Sequence, residues 1–318
     1  MELIRGLHNV RARHRGSAVT IGNFDGVHRG HRAMIERLRR QAAALGVPAT
    51  VVTFEPQPTE WLFPDRAPPR LTGLREKLRR LAGTGVDAVL VLRFDRHLAA
   101  LEPEAFAGEL IGERLGARYV LVGDDFRFGH KRRGDLRLLQ SAGERYGYRA
   151  EPMETVTCPG QERISSTRIR EALRAGRFEE ASRLLGEPYR VPGRVVGGDA
   201  MGRRLGWPTA NLRLSPHRTP LDGIYAGWVH GVGERPWPAA ISVGVRPTVD
   251  GRQTVFEAHL IDFEGDLYGR PLVVEPVARL RDEVRFEGLD ELAAQIGEDV
   301  RAARRVLGKA EDSGEAAT

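Results

Sequence analysis

His28 and His31 stand three residues apart in Gly22-Asn23-Phe24-Asp25-Gly26-Val27-His28-Arg29-Gly30-His31. Each imidazole can donate a hydrogen bond to a phosphate oxygen, more strongly when protonated. At the start of a helix they would join unpaired N–H groups and the positive end of the helix dipole. Such a set stabilises charge that grows on a phosphate as its neighbour departs. Gly22, Gly26 and Gly30 let the backbone come close to a ligand, with Asn23 and Phe24 beside them.

Two further segments carry phosphate-binding residue types. In Ile164-Ser165-Ser166-Thr167-Arg168-Ile169-Arg170, the hydroxyls of Ser166 and Thr167 and the guanidinium of Arg168 could contact phosphate. The same hydroxyls could simply cap a helix over 168–175. Residues 193–206 are glycine-rich, with Gly193 at the start and Gly202 near the end, and lead into Trp207-Pro208-Thr209-Ala210-Asn211. A glycine-rich turn beside Thr209 and Asn211 can cradle phosphates and offer oxygen ligands to Mg²⁺. A plain β-turn before a proline-anchored strand fits those residues equally. There is no Walker loop of the Gly-Lys-Ser/Thr type.

The elements that must position these residues fall into two patterns. Over 17–186, short apolar runs at 18–22, 49–54, 88–92 and 119–122 read as parallel strands covered on both faces. Helical periodicity fills the gaps at 30–45, 74–81 and 103–115, and Met34, Leu38, Ala42 and Leu45 form one stripe. This alternation predicts a doubly wound, Rossmann-like α/β domain over 1–186. Beyond 187, strand patterns at 190–196, 209–214, 224–230, 238–243, 255–262 and 271–279 follow one another without helices. Turn formers at Leu221-Asp222-Gly223 and Asp250-Gly251 separate them, and the pattern predicts an antiparallel β-barrel over 187–308. A helix over 288–307 closes it, and the polar residues 309–318 read as a flexible tail.

A chain of 318 residues exceeds one ordinary core and suits two domains. No apolar run is long enough for a bilayer and the first ten residues do not resemble a secretory signal, so no membrane is expected. The single cysteine, Cys158, cannot form an internal disulfide, which fits a reducing cytoplasm. The net charge of +6 admits nucleic acid or small polyanions, but the arginines are scattered and no basic stripe favours nucleic acid.

The His-x-Gly-His segment, placed between a strand and a helix, resembles the signature of the nucleotidyltransferase superfamily, which class I aminoacyl-tRNA synthetases share. A Lys-Met-Ser-Lys-Ser segment is absent, which disfavours a synthetase. Taken in order, the segments 22–31, 164–170, 193–211 and 255–263 resemble the bacterial bifunctional riboflavin kinase/FAD synthetase family over roughly residues 1–308. Pro-Thr-Ala-Asn after a glycine-rich loop is the most specific of these.

The resemblance implies two ATP reactions that need Mg²⁺: phosphorylation of riboflavin to FMN in the barrel, and adenylylation of FMN to FAD with release of pyrophosphate in the N-terminal domain. It implies Glu257 as the kinase base. Strand alternation puts Val255, Glu257 and His259 on one face, though an outward, solvated glutamate also fits the pattern. Thr209 and Asn211 match the family's Mg-ATP ligands. Asp262 and Asp266 read as turn residues. Flavin-side candidates are Pro56 and Pro58 after the second strand, Asp125, Phe126 and Phe128 after a later one, and Arg281 and Glu283, which match a flavin-proximal loop of the kinase module. Core packing explains the two phenyl rings equally well. Gln57 stands where the family often has His, and Arg246 where it usually has Asn.

Overall fold

The structure, a computed structural model, describes residues 1–154, 156–157, 163–198, 201–214, 219–248 and 251–312. The chain divides into two compact units, one of Met1–Pro68 with Leu74–Ser166 and one of Pro69–Gly73 with Thr167–Thr318.

The first unit holds strands β1 (Glu2–Arg5), β2 (Ala18–Ile21), β3 (Ala49–Glu55), β4 (Ala88–Arg93), β5 (Tyr119–Gly123) and β6 (Arg149–Met153). They form a parallel sheet in the order β1-β4-β3-β2-β5-β6. Its helices are α1 (Arg29–Leu45), α2 (Pro58–Leu62), α3 (Leu74–Ala82), α4 (Arg96–Ala100), α5 (Pro103–Ala105) and α6 (Leu136–Tyr146). Side chains alternate across the sheet. Val19, Val52, Leu90 and Val120 enter one core with Ile111 and Leu139. Ala18, Val51, Val89 and Leu121 enter the other with Ile35, Leu38 and Ala42 of α1 and Leu81 of α3. The chain leaves β2 towards β3 on one side and leaves β5 towards β6 on the other. The carboxyl ends of β2 and β5 therefore flank the switch point where open α/β sheets take ligands.

Several local expectations change. β1 and β6 do not show as apolar runs because both are edge strands, charged and, in β6, carrying Pro152. The buried stripe of α1 runs through Ile35, while Leu45 is exposed beside the left-handed Gly46 that ends the helix. The predicted helix at 103–115 is α5 followed directly by a π-helical stretch, Phe106–Arg114. There Gly108 and Gly112 lie against Tyr146, whose ring would stand 2.7 Å from an added Cβ at the first and whose Cβ 2.6 Å from one at the second.

The second unit opens with α7 (Ser166–Arg174), Ser166 itself clustering with the first unit, and α8 (Phe178–Leu185). It continues through β7 (Val191–Val196), α9 (Met201–Arg204), β8 (Ala210–Leu214), β9 (Gly223–His230), β10 (Trp237–Thr248), β11 (Gly251–Leu260), β12 (Pro271–Arg281) and α10 (Leu289–Asp312). The strands close an antiparallel barrel in the order β10-β11-β8-β7-β12-β9. Val300, Ala303 and Leu307 of α10 pack on Ala226, Trp228 and Ala240 of the barrel wall. The change of pattern at 187 marks where helices give way to strands. The contacts divide earlier, at Ser166, because Phe178 of α8 meets the Tyr225 ring edge-on at 5.8 Å and α8 packs along β12. The backbone of α10 continues to Asp312, and residues 313–318 lie outside the described residues, as does Asp250 of the predicted turn.

The barrel closes tightly around Gly227, where a Cβ would stand 2.4 Å from the Glu275 carbonyl oxygen and 2.6 Å from Ile241 Cδ1. Gly227→Ala should lower the stability of this unit by about 1–3 kcal/mol. Urea denaturation followed by tryptophan fluorescence reads this, since Trp207, Trp228 and Trp237 lie in the same unit; an unmoved midpoint would contradict the close approach.

Candidate active sites

In the first unit, β2 runs into a turn with three left-handed residues: Phe24 at φ 47°, Gly26 at φ 83° and Val27 at φ 44°. For Phe24 and the β-branched Val27 this is uphill. The carbonyls of the turn are tied by side chains from around it. Thr53 Oγ1 donates to Asn23 O at 3.3 Å, and Ser166 Oγ to Asp25 O at 2.9 Å. Arg80 Nη1 donates to Gly26 O at 3.1 Å, and Arg32 Nε to Val27 O at 3.1 Å.

This turn delivers His28 as the N-cap of α1, where its Nδ1 accepts the His31 N–H at 3.3 Å. The bond leaves Nε2 of neutral His28 as the proton-bearing nitrogen. The His28 and His31 rings stack with centroids 3.6 Å apart and planes at 15°, and Phe24 closes on His31 at 5.0 Å. Gly22 and Gly30 leave room for these rings. A Cβ would stand 3.3 Å from Phe24 at the first and 3.3 Å from His28 at the second. Burial first, then electrostatic interaction with the neighbouring His28 and Lys77, holds the His31 pKa well below its ordinary value. His31 is therefore a neutral donor at pH 7, and charge assistance from it is not available in this state.

Other sequence candidates fall into distinct places. Helix α7 begins at Ser166, so Ser166 and Thr167 lie in its first turn instead of preceding it. The one hydroxyl proton of Ser166 goes to Asp25 O. In the second unit, Arg168 gives Nε and Nη2 to Glu180 Oε1 at 2.9 and 2.8 Å. Pro56 follows a cis peptide at the end of β3, and Pro58 is the first residue of α2. Between them the buried Gln57 donates its backbone N–H to Glu60 Oε2 at 2.9 Å. Asp125 is exposed and pairs with Arg163 at 2.6 Å. Phe128 is buried against Phe106 at 5.1 Å, so core packing accounts for it, while the half-buried Phe126 stacks on it at 5.6 Å.

In the barrel, a cavity of about 230 Å³ is lined by Gly202, Thr209, Asn211, Glu257, Arg281 and Glu283, among others. Register explains the gathering: Glu257 of β11 pairs with Asn211 of β8 on one side and with Ser242 of β10 on the other. Val255 and His259 line the same cavity, so the alternating face points inward. Thr209 Oγ1 donates to Glu257 Oε2 at 3.3 Å. Gly202 is required by a close approach, since a Cβ would stand 2.4 Å from the Trp207 carbonyl oxygen. Gly193 lies in β7, packed on Leu212, and is not part of the cavity wall.

Arg281 faces the cavity but its guanidinium is engaged: Nε and Nη2 grip the two Asp299 oxygens at 2.8 and 2.7 Å. Gln295 Nε2 adds a bond to Asp299 at 3.1 Å. Asp262 pairs with Arg304, and Asp266 caps the Tyr268 N–H, both in the turn after β11. The Arg246 side chain lies outside the described residues. Sequence reasoning missed Asp299 and Ser242; His259, which alternation put on the face of Glu257, lines the cavity with its Nδ1 2.8 Å from Pro208 O. An aspartate next to Val300 on the apolar stripe of α10 was the available signal for the first.

A family model described as FAD synthetase matches residues 10–168, and one described as riboflavin kinase matches 185–307. The chain is 48% identical to a bifunctional riboflavin kinase/FMN adenylyltransferase of Escherichia coli (strain K12), with 97% of this chain and 98% of that one covered. It is also 48% identical to one of Pseudomonas fluorescens, covering 96% and 97%. A crystal structure described as a macrolide-efflux protein from Streptococcus pneumoniae is 29% identical, covers 96% of this chain and 99% of that one, and superposes with a TM-score of 0.74. The chain belongs to the bifunctional riboflavin kinase/FMN adenylyltransferase family.

The modules of the family occur here in the same order as the two chemistries read from the sequence. The histidine turn lies within the FAD synthetase match and the barrel cavity within the riboflavin kinase match. Among the described residues no helix is long and apolar enough to cross a membrane.

The buried, neutral His31 sets a pH dependence. Its folded pKa lies below the ordinary 6.5, so between the two values the unfolded chain binds the extra proton. Stability is complete above 6.5 and falls as the pH drops below it, well before carboxylates such as Glu76, ordinarily at 4.5, begin to act. The first unit should melt at a lower temperature at about pH 5.5 than at about pH 7.5, and His31→Asn should flatten the difference. Differential scanning calorimetry checks this; a parental slope in His31→Asn would assign the dependence elsewhere.

Proposed function

We propose that the two sites work in sequence on one flavin. In the barrel, the 5′-hydroxyl of riboflavin attacks the γ-phosphorus of ATP, the bond to the β-phosphate oxygen breaks, and FMN and ADP leave. Glu257 takes the hydroxyl proton. In the first unit, an FMN phosphate oxygen attacks the α-phosphorus of a second ATP, giving FAD and pyrophosphate. The observation that carries this reading is the convergence of Glu257, Thr209 and Asn211 on one enclosed wall, in a chain that matches both family modules.

Positioning and charge neutralisation dominate phosphoryl transfer, so the donors matter as much as the base. The oxygens of Thr209 and Asn211 are hard ligands and fit Mg²⁺, which when bound would offset phosphate charge. Gly202 gives the ATP phosphates access to that wall, and Glu283 with the Arg281–Asp299 pair borders the flavin end. For adenylylation, Gly22, Asn23, Phe24 and Gly30 shape the phosphate seat under His28 and His31. Pro56, Pro58, Asp125 and Phe126 face the flavin, with Phe128 supporting Phe126. We assign adenylylation to residues 1–186 and phosphorylation to 187–308, in a cytoplasmic setting that suits the lone Cys158.

His28→Ala should reduce FAD formation by roughly 10²–10³ while riboflavin phosphorylation continues, so that FMN accumulates. Equal loss of both products on chromatography would contradict separate sites. Glu257→Gln keeps the shape and removes the proton acceptor, and should slow FMN formation by about 10²–10⁴. FMN supplied directly should still become FAD at the parental rate. Riboflavin phosphorylation near the parental rate in this variant would place the base elsewhere.

A further inference from the structure

The ties on the histidine turn include one that the reaction itself does not explain. Arg80 and Glu76 sit one turn apart on α3, with Arg80 Nε on Glu76 Oε1 at 2.8 Å. Their side chains are only 4% and 10% exposed. A buried ion pair gains little net stability over an apolar pair, because both charges lose their water. Burial raises the Glu76 pKa, but Arg79 and Arg80 outweigh it and hold the carboxyl below its ordinary range. The pair therefore stays charged and aims a rigid guanidinium fork. Its other arm, Nη1, reaches the Gly26 carbonyl.

That carbonyl belongs to the peptide whose N–H is Val27's, and peptide units move as planes. Fixing it fixes the plane between two left-handed residues, Gly26 and Val27, and His28 comes next. Losing the tie removes one restraint on that strained peptide and favours its relaxation, which would shift the imidazoles. We propose that Arg80, oriented by Glu76, is a positioning residue for adenylyl transfer, holding the turn so that His28 and His31 meet the α-phosphate. Arg80 touches none of the reacting atoms. The proposal rests on the adenylyl-transfer reading of the histidine turn.

The test uses the full chain with FMN, ATP and Mg²⁺, and riboflavin phosphorylation is measured on the same preparations. The parental protein must first make FAD; if it does not, the adenylyl reading itself fails. Given that activity, Arg80→Gln should lower kcat for FAD formation by about 10²-fold with the KM for ATP changed less than about threefold. Arg80→Lys keeps the charge without the fork and should recover part of the loss, and Glu76→Gln should lower kcat by about tenfold. Riboflavin phosphorylation should remain parental in all three. A parental kcat in Arg80→Gln, or a change confined to KM, overturns the proposal. If calorimetry shows that Arg80→Gln does not fold, the other two variants decide, and parental kcat in both overturns it.

Discussion

The turn between β2 and α1 is where this chain accepts an unfavourable backbone to obtain a site. Two non-glycine residues in the left-handed region cost about 1–3 kcal/mol each. The hydroxyl ties from Thr53 and Ser166 contribute about 0.5–1.5 kcal/mol each, and the guanidinium ties from Arg80 and Arg32 about 1.5–3 kcal/mol each. The ties together outweigh the cost by only about 2–3 kcal/mol, so the turn persists only while its carbonyls are held. The parallel sheet, with both faces packed, supplies the rigid frame from which those side chains reach. The helix dipole of α1 and the stacked imidazoles follow from the turn and could not be placed without it.

The barrel solves the same problem differently. Its cavity residues lie on or beside strands whose register is fixed by closure, so no strained peptide is needed to gather Thr209, Asn211 and Glu257. The constraint appears as close approach. Gly198 leaves room for the Asn211 amide, and Gly244 for the Glu283 carboxylate. At both positions a Cβ would stand under 3 Å from a side chain that faces the cavity, so the glycines preserve the orientation of those side chains.

Much of this was legible in the sequence where one physical signal dominated. Buried parallel strands leave continuous apolar runs, and barrel strands leave alternation that put Glu257 and His259 on the inner face. Edge strands such as β1 and β6 carry weak signals because they bury little. Phe128 was ambiguous because a phenyl ring near a site and a phenyl ring in a core have the same composition. Gly193 was grouped with the phosphate loop by its glycine neighbours, whereas its position is set by packing on Leu212 across the strand pair. The Arg281–Asp299 grip joins residues 18 apart in sequence, and no local pattern marks it.

The arginine content also reads differently once its partners are visible. A count of 49 basic against 43 acidic residues leaves a small surplus, and prominent arginines are committed to carboxylates. Arg37 holds Glu151, Arg168 holds Glu180, Arg190 holds Glu275 and Arg281 holds Asp299. These pairs join strands and helices, so they answer to the architecture. A guanidinium already engaged by a carboxylate offers less charge to a passing polyanion than its number in the composition implies. At the histidine turn stand instead two stacked imidazoles, the buried His31 neutral, at the start of α1. Donors held in place before a ligand arrives act more strongly than mobile ones, so for such a turn its ties matter more than the net charge of the chain.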